Sequence, residues 1–118
     1  MAIRVKDGVL FSKIAPAGFE IISALALASE ALACDLTITS ACDGEHSGPD
    51  DPHHRGEAYD IRTHDLVDKQ KTLQTIKTFL PTSPYSYFAW IEDEGGDNEH
   101  IHIQITKGTT SWAELSKA

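Results

Sequence analysis

Two short stretches, EAYDIR (Glu57–Arg62) and HIHIQI (His100–Ile105), constrain this chain more than any other feature. Both alternate in polarity, and along a strand alternate side chains share a face. In the first, Tyr59 and Ile61 point one way while Ala58, Asp60 and Arg62 point the other. In the second, Ile101, Ile103 and Ile105 share one face and His100 and His102 the opposite one. Each strand therefore offers an apolar face to a core and a polar face that carries a carboxylate or imidazoles. Small Ala58 beside Asp60 leaves room for an ion. Gly56 permits a tight backbone turn just before the first strand, so that His53 or His54 curls back over it. Two histidines and one carboxylate form a three-donor set with a coordination position left open, the pattern of a catalytic rather than a structural zinc site.

The remaining composition agrees with a single globular domain over residues 1–118, long enough for a core without disulfide staples. A net charge of -8 opposes nonspecific binding to nucleic acid or to anionic membranes. All six histidines lie between His46 and His102, a clustering that suits a metal site. Cys34 and Cys42 lack CxxC spacing and are too few for a disulfide framework, so they read as buried or free thiols. The N-terminal MAIRVKDGVLFSK has no signal-peptide core, and the apolar run Ile21–Ala33 falls short of the roughly 20 residues a membrane span needs. The expectation is a soluble chain, cytoplasmic as synthesised, which requires release by other means if its substrate is external.

Residues 1–13 read as an irregular or short extended lead-in. A helix is expected over about Pro16–Ala33, with Phe19, Ile22, Leu25, Ala26, Ser29 and Leu32 recurring at helical steps. DLTITS (Asp35–Ser40) reads as a strand, and CDGEHSGPDDP (Cys42–Pro52) as loop. A second helix is expected over Leu66–Leu80, stopped by Pro81 and Pro84, with an apolar stripe of Leu66, Leu73, Ile76, Phe79 and Leu80. YSYFAWI (Tyr85–Ile91) and HIHIQI form a hairpin around the acidic turn Glu92–Asn98. Trp112 and Leu115 belong to a C-terminal tail, read as a short helix. The order predicts an α+β fold, a small mainly antiparallel sheet with two helices packed on it.

The pattern His-x-x-Gly-x-Ala-x-Asp, followed downstream by His-x-His, resembles the zinc D-alanyl-D-alanine peptidase family. That family includes vancomycin-resistance D-Ala-D-Ala dipeptidases and phage endolysins that cut L-alanyl-D-glutamate bonds, and the hedgehog signalling domain shares its fold. The resemblance runs from Ile38–Ser40 through Asp43–His46 to the HIHIQ strand, over half of the chain. It implies one zinc ion per chain, held by His53, Asp60 and His102, with His54 at a variable position. It further implies Glu99 as general acid/base, with Glu94 and then Glu92 as substitutes, and His46 and His100 as groups that hold the attacking water or stabilise the oxyanion. The implied activity is zinc-dependent hydrolysis of peptidoglycan stem peptides, as a carboxypeptidase or an endopeptidase.

Two departures stand out. Asp51 occupies a position where family members commonly carry serine, and no arginine follows the TS strand to grip a substrate carboxylate, leaving Arg55 and Arg62 as replacements. Two rivals compete with the peptidase. A non-haem iron oxygenase also uses two histidines and a carboxylate, but it leaves the Gly-x-Ala-x-Asp signature unexplained. A non-catalytic hedgehog-like zinc module would bind metal and lack a carboxylate in reach of the water.

Overall fold

A computed structural model describes residues 2–42, 51–53, 55–106 and 110. Seven elements follow in chain order: β1 (Ile3–Val5), α1 (Pro16–Leu32), β2 (Leu36–Ser40), β3 (Ala58–Arg62), α2 (Lys69–Phe79), β4 (Tyr87–Glu92) and β5 (His100–Ile105). The strands form one sheet in the order β1-β2-β3-β5-β4. β1 runs parallel to β2, and β2–β3, β3–β5 and β5–β4 are antiparallel pairs. The α+β class stands, but the sheet is mixed, which corrects the expected mainly antiparallel sheet. The extra strand, IRV, lies in the lead-in read as irregular or short extended, and at three residues it is too short to be assigned from its pattern. Asp35 anchors it, accepting from the Ala2 backbone N–H at 2.9 Å and from Arg4 Nε at 2.6 Å.

α1 begins as expected, with Pro16 in its first turn, where the missing N–H costs no intrahelical bond. Its inward face differs from the expected stripe. Ala17, Ile21, Ala24, Leu25 and Ala28 are buried, whereas Phe19 is 58% exposed. Side-chain size explains the rotation. A Cβ on Gly18 would lie 2.0 Å from the carbonyl oxygen of Gly56, so the helix reaches the segment before β3 only through its small residues.

α2 starts at Lys69 rather than Leu66 because Asp68 caps it, its carboxylate accepting from the Lys71 N–H at 3.0 Å. Leu73, Ile76 and Leu80 face inward as expected. Both helices join Leu36, Ile38, Tyr59, Ile61, Ile101 and Ile103 in one core. Each fully buried isoleucine there contributes roughly 1.5–3 kcal/mol by leaving water. The alternation of β3 and β5 therefore holds, with apolar residues on the helix side and Asp60, His100 and His102 on the open side of the sheet. Among the described residues, no helix is long and apolar enough to cross a membrane.

Candidate metal centre

The first donor comes from the loop before β3. Within Asp51–Glu57, three backbone bonds close tight turns: Arg55 N–H to Asp51, Gly56 N–H to His53 and Glu57 N–H to Pro52. Gly56 has φ +72°, and a Cβ there would meet the Lys13 carbonyl oxygen at 2.3 Å. Only glycine fits that turn. Asp51 accepts from the backbone N–H of His53 at 2.9 Å, a side-chain-to-backbone turn bond that gives this departure from serine a structural role.

Glu57, fully buried, accepts from Arg55 Nε at 2.6 Å and from the N–H and hydroxyl of Thr110 at 2.7 and 2.6 Å. The loop is thus held from both ends. It places the buried His53 ring with Nδ1 3.0 Å from the Ala41 carbonyl oxygen. The other ring nitrogen, Nε2, faces Asp60 Oδ1 at 3.3 Å.

The other donors come from the sheet. Asp60 and His102 are direct partners in the β3–β5 register, and His102 Nδ1 lies 2.9 Å from Asp60 Oδ1. His53, Asp60 and His102 each offer a ligand atom, and these atoms all lie within 4.8 Å of one another. Two imidazoles and a carboxylate converging at this spacing could hold a metal ion. The structure thus brings together the three sequence-derived ligands.

Charge follows geometry. Burial pushes the Asp60 carboxyl up, but hydrogen bonds from His102 and His53 and the charges of His53 and His100 outweigh it and hold Asp60 well below the usual carboxylate range. Burial pushes His102 down, yet its bonds to Asp60 and to Gln104 Oε1, the latter 2.7 Å from Nε2, leave it raised.

Glu99 lines the same cleft as Asp60 and His100. Its carboxylate accepts from Thr63 Oγ1 at 2.6 Å, from Lys69 Nζ at 2.7 Å and from the Gly95 N–H at 2.8 Å. The hydrogen bonds from Lys69, Thr63 and Gly95 lower its pKa to about 2. Glu94 accepts from Gln70 and lies 3.5 Å from Lys69. Glu92, the weakest substitute by sequence, is the glutamate grouped with His100 and His102. His46, His54 and the Trp112–Leu115 tail lie outside the described residues.

Arg55 is committed to Glu57, whereas Arg62 lines a cleft of about 270 Å³ together with Lys6, Ser40, Asp60 and His100. A larger concavity of about 560 Å³, between the end of α1 and the start of α2, includes none of these site residues. Cys34 and Cys42 are free thiols, as expected.

Two neighbours escape a reading by sequence. Trp90 opposes His102 in the β4–β5 register, with ring centroids 4.6 Å apart, and Gln104 bonds the same imidazole. Gln104 follows His102 by two on one strand face, a signal available from alternation. Trp90 needed the hairpin register. Comparison of the chain with family models, with curated proteins and with solved structures finds no match.

Proposed function

We propose that the protein is a zinc-dependent peptidase acting on stem peptides of peptidoglycan, at bonds of the D-Ala-D-Ala or L-Ala-D-Glu type. The convergence of His53 Nε2 and His102 Nδ1 on Asp60 Oδ1 carries this reading, because it gathers a three-donor group on the face of the sheet away from the helices. Bound by these three residues, zinc supplies Lewis acidity, which polarises a carbonyl and makes water a nucleophile near neutral pH.

The chain's own groups do the rest. His100, on the same face two residues before His102, orients the attacking water, with His46 as its expected companion. Glu99 takes the water's proton and returns it to the leaving amine, which requires its carboxylate to exchange Thr63 and Lys69 for the water. Arg62, in the cleft beside Asp60, pairs with a carboxylate of the anionic stem peptide. The protein acts on the wall after release from the cytoplasm.

One observation favours a second reading, a hedgehog-like zinc-binding module without hydrolytic activity. Glu99 is held by three donors and lies well below the pKa range that suits a general base at neutral pH. Digestion of purified peptidoglycan by the zinc-loaded protein, with mass spectrometry of the fragments, tests the choice. Released stem-peptide fragments support the peptidase, and an intact sacculus with stoichiometric zinc supports the binding module.

A further inference from the structure

We propose that Phe88 and Trp90 form a sugar subsite beside the metal centre, one that seats an N-acetylhexosamine ring of the wall glycan. The proposal rests on the peptidase reading and narrows it: the bond cut is then the one close to the glycan, of the L-Ala-D-Glu type.

Strand register puts the two rings there. On β4, Tyr87, Ala89 and Ile91 pack in or against the core, so alternation sends Phe88 and Trp90 to the open face. Trp90 opposes His102 with ring centroids 4.6 Å apart, and Phe88 opposes Gln104. The two aromatic rings meet edge to face, with centroids 6.3 Å apart. Phe88 is nevertheless 51% exposed and Trp90 38%, on a strand at the end of the sheet. Charged side chains guard many edge strands. An exposed aromatic pair in their place, continuous with a ligand histidine, marks a surface that binds.

The chemistry of the substrate decides the occupant. Stem peptides carry alanine, glutamate and a diamino acid, and none of these has an apolar side chain able to cover two aromatic rings. The attached sugar does have such a surface: a pyranose face presents C–H groups, which rest on the electron-rich face of an aromatic ring. Arg62 and His100 are cross-strand partners one step along the strands from the row Asp60, His102 and Trp90, and Phe88 lies one step the other way. A peptide laid over the metal centre thus meets an aromatic end and a charged end. Length then selects the bond. One alanine separates the sugar's lactyl group from the L-Ala-D-Glu bond, whereas four residues separate it from the D-Ala-D-Ala bond. Four extended residues span roughly 13–14 Å, which carries the sugar past rings that touch His102. A single residue keeps sugar and bond together, and the free carboxylate of D-glutamate then falls toward Arg62.

Calorimetric titration of the zinc-loaded full chain with an N-acetylglucosamine oligomer tests the subsite without relying on hydrolysis. Binding is expected, and Phe88→Ala should weaken it on the order of 3- to 10-fold, the scale of one lost aromatic contact, at unchanged zinc content and melting temperature. Phe88→Leu keeps apolar bulk without a ring; it should weaken binding likewise, and it replaces the alanine variant if that one fails to fold. In digestion, a glycan-linked stem peptide should be cut at L-Ala-D-Glu with a lower KM than the same peptide freed of its sugar, and loss of the Phe88 ring should shrink that difference. No binding of the oligomer, or equal binding by the variants, overturns the proposal. So does a concentration-dependent dimer that loss of the Phe88 ring disperses, which would assign the rings to a second copy of the chain. The peptidase reading fails separately: sugar binding through Phe88 without hydrolysis leaves the subsite standing, and equal cleavage of free and glycan-linked peptides without sugar binding leaves the peptidase standing.

Discussion

Asp60 and His102 face each other across the β3–β5 pair with Oδ1 and Nδ1 2.9 Å apart, so the ligand pair is built into the hydrogen-bonding register of the sheet. A shift of one residue in either strand would turn that strand's side chain into the core. The site therefore forms whenever the sheet does, and His53 completes it from the loop before β3.

The ion should depend on these three residues and on no adjacent histidine. Asp60→Ala and His53→Ala are expected to lose it, and His54→Ala to keep it, as read by metal analysis of purified protein. Loss with His54→Ala and retention with His53→Ala would move the ligand by one position.

Chelation should destabilise the protein, because the ion ties β3, β5 and the His53 loop together. An ion present at about 100 times its Kd adds about 2.7 kcal/mol to the stability of the folded state. For a domain of this size the melting temperature should fall by several degrees on removal of the metal. An unchanged melting curve after verified removal would contradict the cross-link.

The metal-free protein should be most stable in weakly acid solution. Asp60 is depressed below its ordinary 3.8, so its contribution is present above that pH and is lost as pH falls through the folded value. His102 is raised above 6.5, so its contribution is complete below that pH and is lost as pH rises through the folded value. Both operate together between about 3.8 and 6.5. Denaturant titrations across pH should show this plateau, and Asp60→Asn should remove it. Zinc must displace the His102 proton, so its affinity should rise with pH over the same groups.

Glu99→Gln separates the proposed base from a structural tie. As the proton acceptor, Glu99 should lose at least ~100-fold in peptide hydrolysis on substitution, at unchanged metal content. Its low pKa adds a second signature. Stability present above the ordinary 4.5 is lost as pH falls through about 2, and the glutamine variant should lack that acid limb. An active, metal-replete variant lacking only the acid limb would make Glu99 a tie between α2 and the β4–β5 turn.

Gly56→Ala should damage the site from a distance. The positive φ and the 2.3 Å approach to the Lys13 carbonyl oxygen together oppose any Cβ, with strain of about 1–3 kcal/mol. Since this turn carries His53, zinc affinity should fall along with the melting temperature. Gly8→Ala is the control: φ is +90°, but nothing lies within 4 Å of the added carbon, and Gly8 is remote from the ligands in sequence.

Alternation alone determined a great deal here. The period of two in β3 and β5 assigned Ile61, Ile101 and Ile103 to the core and Asp60, His100 and His102 to the open face, because a pleated strand leaves no third direction. Pro16 and the β-prone composition of Tyr85–Ile91 likewise marked elements close to their observed places. What escaped depended on groups distant in the chain. β1 exists because Asp35 ties Arg4 and the Ala2 N–H beside β2, and three residues of sequence contain no period to read. The buried face of α1 was decided by how closely Gly18 approaches Gly56, a contact between backbones that hydropathy does not record. Glu99 shows the same limit at the site itself. Its distance from His102 in sequence places it near the ligands, but Thr63 and Lys69, brought up by the end of β3 and the start of α2, decide where its carboxylate points. Periodicity reports the face on which a side chain leaves the backbone, and only the assembled neighbours supply the hydrogen-bond partners that orient it.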